Sequence, residues 1–148
     1  MSWEINSYVG LNEIKFECSI DDIIQILGKP VRDKTTPTGR RRLQFSERKP
    51  AIVFEKENIV EISLLPQIDG GATYHGECIF SQEPDLLLRF LQNCNGQIYE
   101  RNGFLILFKL GFVLTGFHDD DSNQKSLVMF RRNFYWNALR NDMAPINF

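Results

Sequence analysis

The chain has 148 residues, 43% of them apolar, with a net charge of −2, a size for one domain with a core that needs no covalent staple. Residues 1–70 hold 10 Lys+Arg against 11 Asp+Glu and residues 71–148 hold 7 against 8, so neither half has the basic excess of a nucleic-acid binder. No apolar run is long enough for a membrane span, no signal peptide is visible at Met1–Asn6, and Cys18, Cys78 and Cys94 are too scattered for a disulfide frame; together these predict a cytoplasmic protein with reduced thiols.

Along the chain, Ile14–Phe16 reads as an opening strand. Ser19 caps a short helix ending at Gly28 and Pro30, with Asp21 and Asp22 in its first turn and an apolar stripe of Ile23, Ile24, Ile26 and Leu27. Residues 32–42 are polar and broken by Pro37 and Gly39, which predicts a loop or the approach to a hairpin. Strands follow at 43–45, 51–54 and 59–65, the last two joined by a polar hairpin at 55–58.

Residues 66–76 contain Gly70, Gly71 and Gly76 and read as a linker. The order then repeats. Residues 78–80 form a strand, Ser81 caps a helix over 85–91, and strands follow at 104–108, 112–115 and 127–130. The tail, 133–148, has no clear pattern beyond a short helix near Phe134–Arg140. The pattern predicts an α+β fold in a single domain. Two tandem helix-plus-three-strand units, residues 8–66 and 74–132, share one antiparallel sheet with both helices on one face. The other face is left bare, and a bare face on a small protein usually binds something.

Candidate chemistry is thin. His118 and Asp119, Asp120 and Asp121 cluster, but consecutive acids lack the alternating frame of a calcium loop. His75 and Cys78 lack a second pair for zinc. Cys18, Cys78 and Cys94 have only His75 and His118 as bases, and Gly70-Gly71 precedes no phosphate-binding helix. No cofactor, metal or catalytic constellation is therefore expected. Strand alternation sends Arg40 and Arg42 to one face and Arg41 to the other. Asp21, Asp22, Asp119, Asp120 and Asp121, if they share a rim, would steer a basic partner.

The opening Tyr8–Phe16, followed by Ser19–Pro30 with its Leu27-Gly28-Lys29-Pro30 stop, resembles small bacterial immunity proteins of contact-dependent and polymorphic toxin systems. The helix-then-strands order is similar to the tandem αβ units of the β-lactamase inhibitory protein. The resemblance implies a non-enzymatic inhibitor that binds a cognate toxin domain, expected to be a basic nuclease, and blocks its active site. Such proteins do not share binding residues. The anchors expected from the sequence are Asp119, Asp120, Asp121, Tyr74, Tyr99 and Arg42. The alternative is a small-ligand binding or sensing domain with a concave sheet.

Overall fold

The computed structural model describes residues 2–119, 124–132 and 134–148. The chain is mostly β. A helix, α1 (Ile20–Leu27), is followed by a four-stranded meander: β4 (Arg32–Thr35), β5 (Arg40–Gln44), β6 (Ala51–Glu55) and β7 (Asn58–Leu64). A second helix, α2 (Pro84–Asn95), is followed by β10 (Ile98–Arg101), β11 (Phe104–Leu107), β12 (Phe112–Thr115) and β13 (Ser126–Phe130). The two meanders join at β13 and β7. With β14 (Ala144–Ile146) from the tail added beside β10, they make one antiparallel sheet in the order β14-β10-β11-β12-β13-β7-β6-β5-β4.

A smaller sheet, in the order β3-β2-β1-β8-β9, is built from β1 (Trp3–Asn6), β2 (Gly10–Leu11), β3 (Ile14–Lys15), β8 (Ala72–Tyr74) and β9 (Glu77–Cys78). In it β1 and β8 run parallel. Residues 66–76 are therefore no linker. Ile68 and Ala72 are buried, and β8 ties the middle of the chain to its start.

These findings overturn the expected α+β arrangement. Among the described residues, fourteen strands in sheets of nine and five, with two helices longer than one turn, are not two helix-plus-three-strand units. The reason is physical. β4 is exposed along its whole length, so it carries no apolar alternation, and the small sheet uses strands of two to four residues, too short for a period to register.

Local signals were obeyed at α1. Ser19 Oγ accepts from Asp22 N at 3.1 Å and Asp22 Oδ2 accepts from Ser19 N at 3.0 Å, a reciprocal capping box. Gly28, at φ 87°, donates its N–H to Ile24 O and ends the helix. The Ser81 cap expected for α2 does not form. The helix begins at Pro84 behind Glu83, with no side-chain cap, and runs through Asn95.

One core cluster holds Ile23 and Leu27 of α1, Leu87, Leu88 and Leu91 of α2, the small sheet's Ile5, Leu11, Ile14, Ala72 and Tyr74, and inward residues of the large sheet such as Ile62, Leu127 and Phe112. Both helices and the small sheet thus cover the same side of the large sheet. The removal of these side chains from water drives the fold. A second cluster lies on the opposite side, where Val53, Val60, Ile106, Val113 and Phe130 meet Phe134 and Trp136 of the tail. The expected bare face is therefore covered in its middle. The tail crosses it as α3 (Tyr135–Ala138) and a 3₁₀ turn (Arg140–Asp142) before β14 closes the sheet edge. A register shift between Val53 and Phe54 leaves Val60 without an opposed residue. That bulge lets Val60 and Glu61 serve the same face.

Candidate functional site

The face opposite the helices carries two open regions beside the tail. Strand pairing puts Tyr99, Ile106, Val113, Val128, Ser63, Ala51, Gln44 and Arg32 in one row across it. The tail covers the centre, and two open regions flank it.

The first is a groove beside the free edge. Val31, Arg32, Arg42, Gln44, Ala51, Ser63 and Leu65 are among its lining. Val31 is 76% exposed and Leu65 44%, so aliphatic surface lies open in the same lining as two guanidinium groups. Neither Arg32 nor Arg42 forms an ion pair among the described residues. Lys49, also in the lining, donates its Nζ to Leu27 O at 2.8 Å. The expected alternation holds here. Arg40 pairs with Glu55 at 3.3 Å and lies 4.8 Å over the Phe134 ring on the tail side. Arg41 sits with Ser19, Ile20 and Ile24 of the α1 side and grips Asp33 through two hydrogen bonds of 2.9 and 2.7 Å. The Arg41 guanidinium holds the Asp33 carboxyl below the usual aspartate range. The Arg-Asp-Lys sequence of β4 places charge along the sheet edge, which opposes edge-to-edge pairing.

Behind the groove, Glu61 is pushed above the usual glutamate range by burial. A hydrogen bond from Trp136 and the charges of Arg40 and Arg42 pull it partly back.

The second region is a cleft of about 420 Å³ at the other end of the same face, lined by Tyr8, Asn95, Gln97, Tyr99, Phe108, Lys109, Arg132 and Arg140. Tyr8 reaches it from the β1–β2 turn, where its φ is 60°. Its hydroxyl donates to Phe108 O, and its ring meets Phe130 edge-on at 5.9 Å. Burial pushes the Tyr8 phenol up, while Arg132 pulls it down. The Arg132 guanidinium lies 4.2 Å over Tyr8, and that of Arg140 lies 5.3 Å over Tyr99 and 5.2 Å over Phe108. Asn95, buried at the cleft wall, accepts from Lys109 N and Leu110 N at 2.9 and 3.1 Å and so fixes the β11–β12 turn.

The expected anchors are dispersed. Arg42 lies in the groove and Tyr99 in the cleft, six strand spacings apart, or about 29 Å. Tyr74 is a core residue, 4% exposed, with its ring edge-on to Phe112 at 5.3 Å, so it offers a partner no surface. Asp119 is exposed on the connection after β12, while Asp120 and Asp121 lie outside the described residues.

No single acidic rim joins Asp119 to α1. Asp21 lies with Glu57 at the β6–β7 turn, whereas the connection carrying Asp119 leaves the sheet at Thr115, at the far end of the strands. About 20 Å of strand separates the two ends. His118 Nε2 meets Glu100 Oε2 at 2.6 Å. His75 stacks on Tyr74 at 4.2 Å.

Sequence reasoning missed Tyr8, Phe108, Lys109, Arg132 and Arg140. They come from four separate chain segments, and no local pattern joins them. Among the described residues, no three His, Cys, Asp or Glu side chains group as metal ligands, and no helix is long and apolar enough to cross a membrane. No protein-family model, curated protein or solved structure matches the chain.

Proposed function

We propose that this protein is an immunity protein that binds a cognate bacterial toxin domain and blocks its active site. The observation that carries the reading is the groove beside the sheet edge. There, open Val31 and Leu65 share a lining with Arg32 and Arg42, neither of which forms an ion pair among the described residues. Aliphatic surface beside Arg is the composition of a protein-binding anchor. The complementary toxin surface presents an apolar side chain beside carboxylates. Strands paired into one sheet bind without a large ordering cost. The resemblance of residues 8–30 to immunity proteins supports the same reading, and an inhibitor of this kind acts in the cytoplasm of the cell it protects.

The test is co-expression with the product of the adjacent upstream gene, and a product with no toxin-like C-terminal domain counts against the reading. The expected result is rescue of growth and co-elution of a complex. Arg42→Glu combined with Leu65→Glu weakens binding by about 30-fold or more if the groove is the anchor. A neighbouring toxin domain that neither binds nor is neutralised would overturn the function. Unchanged binding by the double variant would overturn the groove.

A further inference from the structure

The cationic cleft at the opposite end of the face has no role in the docking just described. Its cations come from three places in the chain: Lys109 from the β11–β12 turn, Arg132 from the end of β13 and Arg140 from the 3₁₀ turn of the tail. None of them forms an ion pair among the described residues. The acid nearest to them in sequence, Asp142 in the same 3₁₀ turn as Arg140, forms no ion pair with them among the described residues. The chain as a whole is acidic, at −2, so this concentration of positive charge is local.

The two guanidiniums lie over aromatic rings: Arg132 over Tyr8, and Arg140 over Tyr99 and Phe108. A guanidinium held over a ring keeps its in-plane N–H groups free to donate, and the contact restricts the side chain beforehand. The volume of about 420 Å³ is that of a small-molecule site. Asn95 adds no negative charge, and its Oδ1 is taken up by two backbone N–H groups.

We infer that this cleft binds a small molecule bearing a phosphate monoester, whose oxygens take the N–H groups of Arg132, Arg140 and Lys109. Three cations exceed what one carboxylate needs. A phosphate monoester carries close to two negative charges and three strong acceptor oxygens, and it matches the paired N–H edges of Arg. The half-buried rings of Tyr8, Tyr99 and Phe108 leave apolar walls for the organic part. The cleft and the groove share no lining residue, and the test reads phosphate binding without the toxin, so its failure is distinguishable from failure of the proposed docking.

The test is isothermal titration of the full chain with inorganic phosphate and with phenyl phosphate at low salt. Saturable binding is expected for both, tighter for phenyl phosphate, and it weakens as salt rises. Arg132→Gln and Arg140→Gln each weaken phenyl phosphate binding by about tenfold, with the melting temperature as a folding check. Lys109→Gln, at an exposed turn position, reads the same contact if an Arg variant fails to fold. The inference is overturned if neither soluble probe saturates at millimolar concentration, or if the folded variants bind as the wild type does. Binding of phosphatidic acid vesicles without binding of either soluble probe also overturns it, since it places recognition on a membrane surface and not in the cleft.

Discussion

Replacing Gly111 by Ala tests how the first turn of the chain is locked to the sheet. Gly111 has φ 77°, a conformation that costs Ala about 1 kcal/mol relative to Gly. A Cβ there would also stand 2.8 Å from Tyr8 Cε1 and 2.9 Å from Cζ, so the ring must move. Movement disturbs three contacts: the hydroxyl's hydrogen bond to Phe108 O, the edge-on contact with Phe130 and the guanidinium of Arg132. Each contributes about 0.5–1 kcal/mol, which gives a total near 3 kcal/mol with the backbone cost included. For a domain of this size that lowers Tm by about 10 °C.

The assay is urea unfolding of a double-mutant cycle: wild type, Gly111→Ala, Tyr8→Ala and both together. With the ring removed, Gly111→Ala costs only the backbone contribution, so the coupling is about 2 kcal/mol. If Gly111→Ala costs the same with and without the Tyr8 ring, the proposed lock is wrong.

Three further outcomes follow from particular contacts. Glu61→Gln should shift the pH dependence of stability. Burial raises the folded carboxyl above its unfolded value, so ionised Glu61 is tolerated less well in the folded state, and its contribution falls as pH rises through the folded value. Melting curves should show the Gln variant gaining on the wild type from about pH 4 towards neutrality; a constant difference would refute the sign. Asn95→Ala leaves the N–H groups of Lys109 and Leu110 without their acceptor, at a cost of about 3 kcal/mol in urea unfolding. Ser19→Ala removes the side-chain half of the α1 capping box and should cost about 1 kcal/mol, read by the same method.

The residues that were legible in advance act through their immediate neighbours. Ser19, Asp22 and Gly28 fix both ends of α1 with contacts inside ten residues, and Arg40, Arg41 and Arg42 divide between the faces as the strand period requires. β11 and β12 were read from apolar runs that are buried on both sides. The site was less legible. Tyr99 reached the cleft wall and Arg42 the groove, but Tyr74 went to the core because β8 pairs with β1 across nearly seventy residues. No window of sequence contains both strands.

The chain by itself determined the ends of α1, the hairpin joining β6 to β7 and the alternation that gives the longer strands an inner and an outer side, because these depend on backbone preferences and nearest neighbours. Only the tertiary structure decided that two meanders join at β7 and β13, that the tail folds back over the outer face, and that Tyr8, Phe108, Lys109, Arg132 and Arg140 surround one cleft. Those outcomes depend on which distant surfaces bury each other best, and that competition is settled in three dimensions.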